Sequence, residues 1–367
     1  MATGLKLPFY AKASLTFMGL FAFITTLSIA QTIIVPIIYS VIIAIVLSPL
    51  VNYFVRKKVN RILAISIVLS LVIFSTLLIL FLLSAELLQF GDSLPKLIDK
   101  FHEFLDNAVV WVSDHSNISV RKINLWLADK HKEIVNKSGS IIGQTIIGTG
   151  STLIVLILIP VYVFMILYYQ PLLIEFIHKL FKSSNQDEVN QVVTATKKII
   201  QSYLVGLLLE AAIIATLNSA SLLILGIDYA ILFGVIGALL NVIPYIGGVI
   251  AVTLPMMIAV TTKSPIYALL VLGCYTLIQI IDNHFIIPNI VASKVKLNAL
   301  ISVIVVLVGG ALWGIPGMFL SIPLTAILKV IFDHIEALKP WGFLFGNTMP
   351  TSPKFYGVDQ KTTELLK

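Results

Sequence analysis

The chain has 367 residues and one cysteine, Cys274, so no intramolecular disulfide can form and a cross-linked secreted framework is excluded. Charge is scarce as well. Only 12% of residues are Asp, Glu, Lys or Arg, against about 25% in an ordinary soluble domain. Hydrophobic residues make up 58% and the mean hydropathy is +1.00. So few charged side chains cannot coat a water-soluble globule of this size. Enzyme signatures are missing too: there is no phosphate-binding loop, dinucleotide fingerprint, nucleophile elbow or paired metal-binding histidines. His102, His115 and His131 are spaced too irregularly for a zinc site and read as solvated. Without a phosphate loop the chain does not hydrolyse ATP itself; no cofactor, metal or catalytic residue is expected. The net charge of +7 would suit nucleic acid, but basic flanks on a membrane protein give the same sum, and no nucleic-acid partner is expected.

What remains is a set of apolar runs, each long enough to cross a bilayer, which takes about 20 residues. They cover 14–30, 33–55, 62–88, 141–169 and 203–225, then 231–260, 266–287 and 300–335. Ser28-Ile29-Ala30 resembles a signal-peptidase site behind Lys6 and Lys12, but a second apolar run follows at once, so an uncleaved helix is expected. Fourteen charged residues crowd between Asp92 and Lys137, seven of each sign. Phe101, Phe104, Leu105, Val109, Trp111 and Val112 recur there at roughly helical spacing, which predicts amphipathic helices. The reading is an all-α polytopic membrane protein of about eight membrane segments with one amphipathic helical insertion. Its parts are N-terminal membrane helices (1–91), the charged extramembrane insertion (92–140), a membrane helix with an amphipathic segment (141–200), a repeat-containing transport region (201–338) and a polar tail (339–367). Lys6, Lys12, Arg56, Lys57, Lys58 and Arg61 flank the first hairpin. By the positive-inside rule they place that side, and both termini, in the cytoplasm.

Two broken segments repeat one order of residues. Gly237-Ala-Leu-Leu-Asn241-Val-Ile-Pro244 leads to Leu254-Pro255, and Gly310-Ala-Leu-Trp-Gly-Ile-Pro316 leads to Ile322-Pro323. Proline removes a helix donor and glycine accepts backbone angles other residues avoid, so each stretch interrupts its helix. Gly247, Gly248, Gly309, Gly310, Gly314 and Gly317 are the candidate hinges. Open backbone at membrane depth is tolerated only within protein or beside water, and paired broken segments point to a transporter site. A kinked helix that merely packs closely would carry the same residue types. Each segment is either a kinked helix crossing once or a re-entrant hairpin returning to its own side. Lys263, Lys294 and Lys296 slightly favour the hairpin by the charge rule.

An ionisable residue within a membrane span is costly and suggests function. Glu210 lies mid-span with no basic residue within one turn, and could take up and release a proton or bond to a neighbouring helix. Asn218 and Ser221 follow on a nearby face, as a polar path or as helix glue. Gln279, Asp282 and Asn283 close the 266–287 run, either as an interfacial cap or as ligands for a cation or solute. Asn241 and the freed carbonyls at Pro244 and Pro316 are further candidates for the pathway. Lys329 and Asp333, four apart, read as a surface pair.

The runs Asn241-Val-Ile-Pro-Tyr-Ile-Gly247, Gln279-Ile-Ile-Asp-Asn283 through Pro288-Asn-Ile-Val-Ala292, and Gly309-Gly-Ala-Leu-Trp-Gly-Ile-Pro-Gly-Met-Phe-Leu-Ser-Ile-Pro323 resemble signatures of the autoinducer-2 exporter family, the PerM-like permeases. The resemblance spans nearly the whole chain. It departs at Asn298-Ala299 and at Gly248, where many members have proline. The resemblance implies a bacterial inner-membrane protein, a homo-oligomer with a pentamer as its expected form, whose C-terminal repeats move against a scaffold. Members have been linked to export of the furanone autoinducer-2, and others to sodium/proton antiport. The expected partners are therefore membrane lipid, a small polar solute and a coupling H+ or Na+. Three functions stay open: export of a small polar solute, sodium/proton antiport through Glu210 and Asp282, and a non-transporting scaffold that recruits partners through the insertion.

Overall fold

A computed structural model describes residues 8–115, 149–181, 186–243, 247–292 and 297–348. These residues are helical almost throughout. The elements are α1 (Phe9–Ile29), α2 (Gln31–Arg56), α3 (Arg61–His115), α4 (Thr149–Tyr168), α5 (Gln170–Leu180), α6 (Gln186–Ile224), α7 (Ala230–Asn241), α8 (Gly247–Thr262) and α9 (Pro265–Ile281). A π-helix follows (Asp282–Ala292), then α10 (Ala299–His334), a 3-10 turn (Glu336–Leu338) and α11 (Lys339–Phe345). Among the described residues the only extended pairing is an isolated bridge between Leu297 and Gly346.

Among the described residues, six helices are by length and composition apolar enough to cross a membrane, α10 among them although it folds back at Trp313 and Gly314, and seven if the bent pair α4–α5 counts as one crossing. The sequence reading of about eight segments is higher because α7 and α8 are each too short to cross alone: 12 and 16 residues reach about 18 and 24 Å at 1.5 Å per residue, against a hydrocarbon core of about 30 Å. Sequence predicts amphipathic helices in the charged insertion. Its described part, 92–115, continues α3 without a break, so α3 runs for 55 residues, about 80 Å, and must project well beyond any bilayer. The rest of the insertion lies outside the described residues.

Four packed clusters hold the described helices together: one of Ile214, Ala238, Ile278 and Ile286, which joins α6, α7, α9 and the π-helix, and three larger ones. Ala44, Leu47 and Val51 of α2 pack with Ala64, Ile65 and Val68 of α3 and with Val163 and Leu167 of α4. The Arg61 guanidinium donates to the Leu167 carbonyl at 2.6 Å and to Gln170 Oε1 at 3.1 Å. It thereby satisfies a carbonyl left open where the chain bends by 64° from α4 into α5. The projecting part of α3 supplies Leu97 to a second cluster with Leu222, Ile227, Phe233, Ile258 and Val271. There the Glu86 carboxylate accepts the Leu232 N–H, while Tyr229 donates to Ser93 Oγ at 2.9 Å. Phe90 meets the rings of Tyr229 and Phe233 edge-on.

The third cluster joins both broken segments to one helix. Ile200, Tyr203, Leu204 and Leu207 of α6 pack with Ile243, at the end of α7, and with Val306, Leu320 and Ile322 of α10. Helix α10 is itself folded back. Its backbone leaves helical geometry at Trp313 and Gly314, the latter at φ +63 and ψ −146, a combination nearly restricted to glycine. Gly309 and Gly317 then meet backbone to backbone, with no room for a Cβ on either. Eight residues of straight helix would separate them by about 12 Å. The alternative left open by the sequence, kinked crossing or hairpin, resolves as a hairpin here. The first broken segment also turns back, since Gly247 packs onto the backbone of Leu240 and Asn241.

Candidate functional site

Helix α9 ends where the chain widens into the π-helix, an arrangement common at functional sites because a residue is displaced from the regular ladder. Asp282 opens it, and its side chain is completely buried. Asn241, on the last turn of α7, donates from Nδ2 to Asp282 Oδ2 at 2.8 Å. Gln279 Nε2 lies 3.5 Å both from that oxygen and from Asn283 Oδ1. Asp282 Oδ1 is buried with no hydrogen-bond partner among the described residues. A buried carboxylate oxygen without a partner loses its hydration and regains nothing, so an incoming donor or cation is the natural complement.

Glu210 of α6 is also buried, at 5% exposure. It lies close enough to Asp282 for the two charges to act on one another. That closeness is made possible by Gly206, one turn earlier, where a Cβ would come within 2.6 Å of the Ile290 carbonyl oxygen of the π-helix. Asn241 of α7 thus meets the Gln279-Asp282-Asn283 group at the junction of α9 and the π-helix, and Glu210 of α6 lies near them. Gly248 stands over Gln279, its missing Cβ leaving room for the Gln279 amide oxygen.

The other predicted positions fall elsewhere. Pro244 lies outside the described residues. The Pro316 carbonyl is not left open: the Tyr39 hydroxyl donates to it at 3.1 Å, and Trp313 Nε1 donates to the Leu27 carbonyl at 3.0 Å. The tip of the second hairpin is therefore docked on α1 and α2. No hydrogen bond among the described residues joins Pro316 to the Asp282 group. Gly310 faces Met318 inside the same hairpin. Ser221 donates to the Asn218 carbonyl in its own helix and extends no path. Lys329 and Asp333 form an ion pair, with Gly342 of α11 laid against Asp333.

One residue of this region, Tyr275, escapes the sequence pattern. Among the described residues, Tyr275 OH and Oδ1 of the sequence candidate Asn218 are buried without partners, and both side chains border Gly237. Tyr275 and Gln279 on α9 and Asp282 at the start of the π-helix stand about one helical turn apart, as do Gly237 and Asn241 on α7, and Asn218 stands two turns beyond Glu210 on α6. They form a second buried polar level next to the first. Nothing in the sequence reading singles out Tyr275; the signal that could have found it is its spacing of four from Gln279.

A multi-pass helical membrane protein, with two broken segments packed on one helix beside a buried carboxylate, has a layout that suits a membrane transporter. The sequence profile described as AI-2E family transporter matches residues 15–337, and the chain belongs to that family. Among its relatives is AI-2 transport protein TqsA of Escherichia coli (strain K12), 28% identical over 310 residues, 83% of this chain and 87% of its own. YhhT, of the same organism, is 25% identical over 333 residues, 88% of this chain and 90% of its own. YrrI of Bacillus subtilis (strain 168) is 31% identical over a shorter stretch of 137 residues, 37% of this chain and 38% of its own.

Proposed function

We propose that this membrane transporter is a secondary exporter of a small polar solute, of the kind named in the relative TqsA, and that the solute passes the junction of Glu210, Asn241, Gln279, Asp282 and Asn283, with Pro244 and Pro316 as further pathway candidates. The observation that carries this reading is the fully buried Asp282, held by Asn241 on one oxygen and, among the described residues, unpartnered on the other. Fixing one oxygen orients the carboxylate; the free one is available to a hydroxyl or an ion. The glycines at 247, 248, 309, 310, 314 and 317 let the segments turn and pack closely, and serve as the hinges. A bacterial inner-membrane location, cytoplasmic termini and a homo-oligomeric assembly complete the proposal.

The test is uptake and efflux of a labelled hydroxylated furanone in proteoliposomes made with the full chain. Export predicts saturable flux, reduced at least tenfold in Asp282→Asn with unchanged elution on size exclusion. Wild-type flux no faster than in empty liposomes would overturn it.

Sodium/proton antiport is the second reading, favoured by the closeness of Glu210 to Asp282, since two carboxyls in a dry site can exchange a proton for a cation. It predicts sodium-dependent proton release from loaded vesicles that is abolished in Glu210→Gln. Equal proton flux in the variant sinks it.

A further inference from the structure

A second polar feature lies away from the Asp282 junction, where α2 ends and α6 approaches its apolar stretch. A cleft of about 360 Å³ is lined by Pro49, Asn52, Tyr53 and Arg56 of α2 and by Lys197 and Gln201 of α6. Among the described residues neither Arg56 nor Lys197 is paired with a carboxylate. Two unpaired cations facing one cleft repel each other and gain from an anion placed between them. Lys57 sits over the Tyr53 ring at 4.7 Å and adds a third positive charge at the rim.

The amides fit the same kind of ligand. Gln201 Nε2 donates to the Ile45 carbonyl at 2.7 Å, and Asn52 Nδ2 makes a long contact of 3.4 Å with Ser48 Oγ. Each amide nitrogen carries two hydrogens, so each keeps one donor for the cleft. A guanidinium fork, an ammonium and two amide donors, with no acid on the wall, are complementary to a phosphate group. The flanking surface is apolar. Val205 and Leu208, four and seven residues past Gln201 on the same face of α6, are 46% and 64% exposed, and Leu50 is 48% exposed. Interfacial position is supported by Tyr53, a residue type favoured at headgroup level.

We infer that this cleft is a phosphate-binding site between α2 and α6, taking the phosphate of an anionic phospholipid headgroup or a free phosphate. Binding there ties the end of α2 to α6, the helix that carries Glu210.

The experiment is thermal unfolding of the full chain in nanodiscs. Phosphatidylglycerol is compared with phosphatidylcholine, whose choline cation would face Arg56 and Lys197; inorganic phosphate is added in the phosphatidylcholine arm. The expected result is a higher midpoint in phosphatidylglycerol for the wild type, with the difference lost in Arg56→Gln/Lys197→Gln. No response to phosphate assigns the site to lipid; a midpoint raised by phosphate, and only with both cations present, assigns it to the free anion. Lys198→Gln removes the same charge one residue away on an exposed position and keeps the wild-type difference. If the double variant yields no folded protein, Lys197→Gln against Lys198→Gln makes the same comparison. An equal phosphatidylglycerol effect in Lys197→Gln and Lys198→Gln overturns the site.

Discussion

The Glu86 carboxylate accepts the backbone N–H of Leu232 at 2.7 Å. Leu232 is the third residue of α7, and its N–H is one of the donors that a helix start leaves open. The residue before α7 is Tyr229, which has a left-handed backbone (φ +59) and a side chain that caps nothing in its own helix. The cap instead comes from α3, on a turn that also places Phe90 against Tyr229 and Phe233. We predict that Glu86→Ala lowers stability by about 1 kcal/mol, the usual worth of a lost N-terminal cap, and raises hydrogen exchange in 230–234. Unchanged exchange at those amides would show that the cap comes from elsewhere.

The closed second hairpin should be intolerant of bulk at its crossing. Gly317→Ala would press a methyl into the Gly309 backbone, an overpacking expected to cost about 1–3 kcal/mol. Gly273→Ala, also in a helix but with open space around it, should be neutral or slightly stabilising, because alanine is the better helix former. Thermal melts of both in one detergent give the comparison; equal losses would contradict the folded-back hairpin.

Removing the amide that orients Asp282 should separate fold from flux. Asn241→Ala leaves Asp282 with only the long contact to Gln279, an expected cost of about 1–3 kcal/mol for an unmet buried group. Solute flux should fall further than stability does, with Asn241→Ser retaining more of it. Flux that tracks the melting temperature through both variants would reduce Asn241 to a packing role.

Asn298 is expected to be more than a tolerated departure from proline. Its Oδ1 accepts from the Ile301 N–H at 2.9 Å and caps α10, while Nδ2 donates to the carbonyls of Leu344 and Gly346. Its own N–H donates to the Phe345 carbonyl, a bond proline could not make. Asn298→Ala should cost about 1–2 kcal/mol through the cap and release 339–346. Limited proteolysis cutting in that stretch for the variant and not for the wild type is the check.

Much of this architecture is legible without coordinates because the bilayer makes local sequence informative. A run such as 62–88 must be a helix, since only a helix satisfies its own backbone in lipid. The glycines and prolines from 237 to 323 likewise mark broken helices, whatever their neighbours are. The extent of α3 is not legible in that way. The rise in charge after Asp92 suggests that the helix stops, yet it continues to His115, because Phe90 and Leu97 find apolar partners near Phe233 and Ile258. The sequence reading gives Glu86 no role; its role depends on a helix start 146 residues away.

By itself the sequence determined that the chain lives in a membrane, that its second half carries two interrupted helices, and that Glu210 and Asp282 are rare charges in an apolar setting. These follow from solvent: each residue's cost in lipid is set by its own chemistry. Tertiary structure alone decided that both interruptions turn back, that Asn241 meets Asp282 with Glu210 near them, that Pro316 is held by Tyr39, and that Asn218 Oδ1 and Tyr275 OH are left without partners among the described residues. Those outcomes depend on which helix faces meet, and so on close approaches such as Gly206 to Ile290 and Gly309 to Gly317. The first joins separate elements and the second the two arms of the folded α10, and spacing along the chain encodes neither.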